Sequence, residues 1–543
     1  MKTLLISLAL TSLTANAYAE TKLIDQPRYS EKNTMSFNIN SILLSDTATI
    51  INGSFYSRPN YWVALDKGTK IIGQQSGREY PVLASYGYTL GEECYMPESG
   101  SVPLVLKFAP LEANDSIINF AEGSENGFKI SGIQLGQNPI KSKIHCHISG
   151  TTDDANCSNF ILKKEGEMPI SMFVVIPVNN GKFHYDLYCD WPETYSLING
   201  NEYRQSAFYN LDFIAENNDV DIIVTHDGDQ PKIDIKGGEM NEILNDYNNK
   251  RRTLFANAFD STNALMDSLF NENKLFTDEY MELMDQLSRD DTTPEMRNAL
   301  YHKRDSLENI KKQYTPEGNA INDQGLAISD NIRKWKIDYA KTHKSIPGLS
   351  ILKSLAIYSG NKIDDIVEAY NECYAGWEPE HPYSLELATI ASSGSINPGT
   401  HFIDFSAPDL NGKEMTLSSL AKGKVTLLDL WASWCGPCRV NSKQIIPLYE
   451  AYKDKGFTVV GVAREENNTE DMEKAIAKDG YPWINLVELN DKNQIWTKYR
   501  ISNAAGGTYL IDANGIIVAV NPTPDKVAKY LRGCLITSVN ATT

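Results

Sequence analysis

Cys435 and Cys438 stand two residues apart in the segment LLDLWASWCGPCRVN, Leu427 to Asn441. Two cysteines at that spacing fit three chemistries. They can cycle between dithiol and disulfide, supply half of a tetrahedral zinc site, or lie inert in a core. Zinc needs a second ligand pair, and the chain offers no further CxxC and no HxxxH. Inert burial fits poorly with the start of a helix, which is a poor place to hide a thiol. The dithiol reading is the one that uses both residues.

The flanking sequence says what must hold them. KVTLLDLWA is a continuous apolar run, as a strand buried on both faces requires. RVNSKQIIPLYEAYKDKG is amphipathic and closes on Gly456, which reads as a helix. Cys435 therefore falls at the mouth of that helix. Free backbone N–H groups and the macrodipole favour a thiolate there, and a thiolate attacks a disulfide where a thiol does not. Cys438 lies one turn further on, near enough to close on a mixed disulfide. Gly436 and Pro437 keep the turn between them short, and Trp434 is expected to shield one side of the pair. Asp429 lies six residues before Cys435 on the strand. A carboxyl buried there should have a raised pKa.

From Gly399 the order of elements is strand, helix, strand, helix, strand, strand, helix. FTVVGVA, EDMEKAIAKDG, GTYLID, IIVAVN and PDKVAKYLRGC supply the later members. A CxxC at the end of a strand and the start of a helix in this setting is a thioredoxin-like signature. DLWASWCGPCR resembles the thioredoxin active-site segment. FSAPDLNGKEMTLSSLAKGKVTLLDLWASWCGPC is similar to exported thioredoxin-like reductases of the TlpA and ResA type. The resemblance covers roughly residues 396–535. It implies a hairpin before the core strand, placed at FIDF and KEMTL, and a proton-accepting role for Asp429 toward Cys438. The residues at about 143–240 and the helices after them resemble an uncharacterised accessory region found ahead of such modules, which implies no chemistry.

Three departures from the family pattern stand out. A cis-proline usually faces the CxxC. Counting back from TYLID, its place is held by Gly506, so a trans bond and a mobile loop are expected, since a cis bond without proline costs about 3–4 kcal/mol. Asn441 replaces a glutamate that handles protons. Lys443 replaces a proline, which predicts a straighter helix. A peroxidase of the peroxiredoxin type would need threonine three residues before the nucleophile; Ala432 stands there and argues against peroxide chemistry.

The whole chain bounds these readings. At 543 residues it is too long for one core. A formal net charge of −19 argues against nucleic acid or an anionic membrane surface as partner. Lys2, the apolar run Leu4 to Leu13 and Ala17-Tyr18-Ala19 form a secretory signal over 1–19, with export to a bacterial periplasm. No later segment is apolar enough to span a bilayer. Residues 20–140 read as a β-sandwich-like domain ending near Asn138-Pro139. Residues 141–238 read as a second β-rich domain and 239–390 as a helical region, broken at DDTTPE and YTPEGN. A linker follows at 391–399 and a thioredoxin-like α/β domain at 400–543. Cys146 and Cys157 flank what reads as a strand, a turn and a strand. They would bridge across that hairpin if the register suited. His145 and His147 fall on the face opposite Cys146, which rules against one shared zinc site. His184, in a further strand, reads as a packing or surface residue.

The combined expectation is a multidomain chain whose C-terminal domain is a thiol–disulfide oxidoreductase without a cofactor. Its expected partners are disulfide-containing proteins and a membrane electron donor that re-reduces the pair. An envelope scaffold whose redox domain has lost efficient turnover is the alternative, favoured by Gly506.

Overall fold

The computed structural model describes residues 21–535, apart from 125–126, 137–141, 166–173, 206, 228–229, 290–292, 359–362, 467 and 502–505. The expected signal over 1–19, the boundary at Asn138-Pro139 and the bond joining Ala505 to Gly506 lie outside the described residues. The chain divides into two compact units, one ending at Glu242 and the other beginning at Ile243.

The first unit is built from β-strands whose side chains alternate between core and solvent. Two five-stranded sheets enclose Phe37, Phe55, Leu106, Phe108 and Phe120, all essentially without exposure. The strands begin earlier than the sequence pattern suggests: Lys22–Asp25 pairs with Phe37–Leu44, and Glu31–Lys32 with Lys129–Gln134. Two four-stranded sheets follow. Here the expected Cys146–Cys157 hairpin does not form. Strand Ile144–Thr152 pairs with Lys182–Cys189 and with Asp219–Asp227, while Asn159–Lys164 belongs to the other sheet. The residues between them carry the chain from sheet to sheet instead of turning it back. Cys146 and Cys157 are both buried and both reduced.

The second unit opens with helices that end where the sequence breaks them. Thr293 and Thr315 cap the helices Pro294–Asn309 and Pro316–Thr342, each hydroxyl accepting an N–H of the first turn, with proline following the cap. Proline costs nothing there because its missing N–H would have had no helical partner. Among the described residues no helix is long and apolar enough to cross a membrane.

Beyond these helices lies a five-stranded sheet ordered Ile484–Leu489, Phe457–Glu465, Val425–Trp431, Gly507–Ile511 and Ile517–Val520. The first three strands run parallel, and the last two are antiparallel. Val425–Trp431 is central, and every one of its residues is buried. Leu428 and Leu430 pack on one face with Phe405, Trp496 and Tyr499. Val425, Leu427 and Trp431 pack on the other, beneath the helices Gly436–Tyr452, Glu470–Asp479 and Pro524–Leu535. Full burial of each such leucine stabilises by about 1.5–3 kcal/mol, so the strand is a stiff platform for whatever follows Trp431. This is the thioredoxin-like α/β architecture. The expected hairpin is present but shifted: its strands are Ser406–Pro408 and Glu414–Thr416, while Phe402 and Phe405 of FIDF plug the core instead.

Candidate active site

The central strand ends at Trp431 and the helix begins at Gly436, so only Ala432–Cys435 lies between platform and helix. Cys435 is the N-cap residue. Its sulfur accepts the N–H of Cys438 at 3.3 Å. Cys435 is 8% exposed, Cys438 is half-buried, and the two are joined in a disulfide with Cα atoms 5.3 Å apart. Trp434 is half-buried beside them, while Gly436 and Pro437 face solvent. A β-carbon on Gly436 would meet open space, so crowding does not demand glycine at that position.

Asp429 projects from the central strand onto the same side as this helix and is 3% exposed. Burial pushes its carboxyl up to about 6, opposed by a hydrogen bond from the Ser442 hydroxyl at 2.6 Å. Ser442 lies one turn after Cys438, and its oxygen also stands 2.9 Å from the Cys438 carbonyl. Serine can therefore address the acid and the cysteine-bearing turn from one atom.

The loop before Cys435 is fixed at a single residue. Glu465 accepts both the N–H and the hydroxyl of Ser433, each at 2.7 Å. Arg439 donates to the Ser433 carbonyl at 3.1 Å and to Asp479 at 2.6 Å. Burial raises the Glu465 pKa, with the two Ser433 bonds working against it. Every polar group of Ser433 is thus engaged. Trp431 donates to Asn485 at 3.1 Å, in a space that a side chain on Gly461 would invade.

Gly506 stands over the second cysteine. A β-carbon there would run into the Leu430 carbonyl oxygen and come within 2.7 Å of Cys438 Sγ. The residue at the usual proline place has no room for a side chain with the backbone as it lies. Pro447 sits inside Gly436–Tyr452, where it cannot donate to the Lys443 carbonyl. Lys443 itself reaches Asp479 at 3.4 Å, and Asn441 is half-buried.

The structure thus brings Asp429, Cys435, Cys438 and Gly506 together. Sequence reading missed Ser442, Ser433, Glu465 and Arg439. Ser442 had a signal, since a residue four after Cys438 shares its helix face. Glu465 had none, because it arrives from the neighbouring strand. In the first unit His145 and His147 both reach Asp186, at 2.8 and 2.9 Å, on the face away from Cys146. His184, exposed, meets Asp25 at 3.2 Å. No metal-binding group was found among the described residues.

Comparison with known proteins matches residues 398–520 to the AhpC/TSA family. A thioredoxin-like protein, YneN of Bacillus subtilis, is 32% identical over 144 residues, which is 26% of this chain and 79% of the relative. The thiol-disulfide oxidoreductase ResA of the same organism is 30% identical over 140 residues, 25% of this chain and 74% of the relative. Among solved structures, the thioredoxin domain of a thiol-disulfide oxidoreductase from Bacteroides vulgatus is 30% identical. It aligns to 26% of this chain and 99% of its own, with a TM-score of 0.24.

Proposed function

The chain belongs, through its C-terminal domain, to the thioredoxin-like thiol–disulfide oxidoreductases, and on that premise we propose that it works in a bacterial periplasm, reducing or isomerising protein disulfides through Cys435 and Cys438. One observation carries the reading: Cys435 caps the helix and is bonded to Cys438, with the buried carboxyl of Asp429 hydrogen-bonded to Ser442 one turn beyond that pair.

In the reduced form the Cys435 thiolate is stabilised by the helix N-terminus. It attacks one sulfur of a substrate disulfide and expels the other as a thiolate, leaving a mixed disulfide. Asp429, as carboxylate, takes the proton of Cys438. The Cys438 thiolate then attacks Cys435 Sγ and releases the second substrate thiolate. Two electrons have passed to the substrate, and the pair is left as the disulfide. Re-reduction requires a dithiol donor, which we place in the membrane. Gly436 and Pro437 give the exchange a short turn, and Trp434 limits solvent at one side. Glu465 and Arg439 hold the loop through Ser433, so the first cysteine is positioned before any substrate arrives.

The test is insulin reduction by the full chain with dithiothreitol, comparing wild type with Cys435→Ser. A wild-type rate well above the variant supports the proposal, and equal rates sink it. A Cys438→Ser variant would hold its substrates on Cys435 for identification by mass spectrometry. The second reading, an envelope scaffold with little turnover, draws on Gly506 at the usual proline place, and equal insulin rates are the outcome that favours it.

A further inference from the structure

We propose that Ser442 is a positioning residue of this exchange: its hydroxyl holds the Asp429 carboxyl against the turn that carries Cys438, and so sets how firmly the acid keeps the proton taken from that cysteine. The inference rests on the redox reading above and adds a residue to it.

The geometry is a three-way contact. Ser442 Oγ lies 2.6 Å from Asp429 Oδ2 and 2.9 Å from the Cys438 carbonyl oxygen. Among the described residues this is the one side-chain hydrogen bond to Asp429. A serine hydroxyl has one proton and can accept as well. When Asp429 is a carboxylate, the hydroxyl donates to it, a charge-assisted bond in a dry site. When Asp429 carries the proton, its own O–H donates to Ser442 Oγ, and the serine proton turns to the Cys438 carbonyl. Both states of the acid are hydrogen-bonded, and each is registered at the backbone of the resolving cysteine. An alanine at 442 would leave the buried carboxylate without that donor, which favours the protonated form.

The groups around Asp429 leave this role to the serine. Cys438 lies one turn before Ser442 on the same helix. Tyr481 approaches from the residues before strand Ile484–Leu489, and its phenol donates to Asp479 at 3.3 Å. Asp479 is the next charge outward and is already paired with Arg439 at 2.6 Å and Lys443 at 3.4 Å. Thr508 and Gly461 flank Asp429 on the neighbouring strands and carry no charge.

The experiment is a carboxyl ¹³C titration of Asp429 in the reduced full chain, for wild type, Ser442→Ala and Ser442→Thr. Ser442→Ala should move the midpoint upward by about one to two pH units, the size expected on removing a hydrogen bond to a charged group. Ser442→Thr keeps the hydroxyl and should return it to near the wild-type value. The pH profile of mixed-disulfide release should shift in the same direction in Ser442→Ala, and Ser442→Ala should add no shift in an Asp429→Asn background. An unmoved midpoint, or equal shifts in the alanine and threonine variants, overturns the proposal. The titration needs no turnover, so a chain that reduces no disulfide would defeat the functional reading while a moved midpoint still supports this one.

Discussion

Two pairs of cysteines in one chain meet opposite environments. Cys435 caps a helix, with the backbone N–H of Cys438 at its sulfur and solvent-facing Gly436 and Pro437 beside it. Cys146 and Cys157 lie in the β-rich unit, where burial pushes the Cys146 thiol up to about 12 and raises Cys157 further. The first pair is bonded and the second is not. Two cysteines in one stretch of chain are therefore not enough to make a redox pair. A sulfur needs a field that favours its anion and a partner within one turn.

The largest expected effect breaks this contrast at its centre. Cys435→Ser should reduce insulin reduction to the rate of dithiothreitol alone. A variant that keeps the wild-type rate would show that the helix mouth confers nothing. The contrast is then sharpened by alkylation of the reduced chain at pH 8. A thiol at about 12 is ionised to about one part in ten thousand there, so Cys146 should label about a thousandfold more slowly than an ordinary exposed cysteine. Labelling of Cys146 as fast as Cys435, followed by mass spectrometry, would erase the difference between the two regions.

Gly506 belongs to the next tier. Its missing side chain is what allows its own backbone to lie against Cys438. Gly506→Ala forces a methyl group between the Leu430 carbonyl and the Cys438 sulfur, an overpacking of about 1–3 kcal/mol. Denaturant unfolding of the oxidised chain should show that loss, with a smaller loss in the reduced chain where Cys438 can move. Equal stability of wild type and variant in both states would mean the loop relaxes freely.

How much of this was legible beforehand follows from what each feature depends on. The strand VTLLDLW, the helix after it and Cys435 at their junction are set by local pattern, and all three stand where the sequence put them. The breaks at DDTTPE and YTPEGN were legible for the same reason, though not that Thr293 and Thr315 cap the helices that follow. The Cys146–Cys157 hairpin failed because a β-run says that a strand exists and not which strand it pairs with. Pairing here is decided by residues tens of positions away, with Ile144–Thr152 meeting Lys182–Cys189 and Asp219–Asp227. Glu465 at Ser433 escaped for that reason too. The hairpin strand implied at FIDF by resemblance begins instead at Ser406, because Phe402 and Phe405 are drawn into the core.

Asp429 offers a test in which stability and function pull apart. Its folded pKa of about 6 lies above the ordinary value near 4, so the folded state binds more protons than the unfolded state across pH 4–6. The Asp429 contribution to stability should therefore fall as pH rises through that window and stay level above it. The ionised acid costs roughly 2–3 kcal/mol at pH 7. Asp429→Asn should recover part of that in the disulfide form and make the slope between pH 4 and 6 shallower, while slowing release of mixed disulfides. Unchanged stability at pH 7 together with an unchanged slope would mean the carboxyl is solvated and the buried-acid account fails.

The smallest effect comes from a polar cluster that looks similar on paper. His145 and His147 both meet one carboxylate oxygen of Asp186, yet all three side chains are about half exposed. Burial acts to raise the Asp186 pKa, and the bonds to His147 and His145 outweigh it and hold the carboxyl below its ordinary value. That stabilisation is present above the unfolded pKa near 4 and is lost as pH falls through the lower folded value. Water screens the cluster on every open side, so its contribution belongs to the range of about 0–1 kcal/mol for surface pairs. Asp186→Asn should shift the unfolding midpoint only slightly at pH 7 and leave disulfide exchange untouched. A loss as large as the gain from Asp429→Asn would mean that the Asp186 cluster is shielded from water after all.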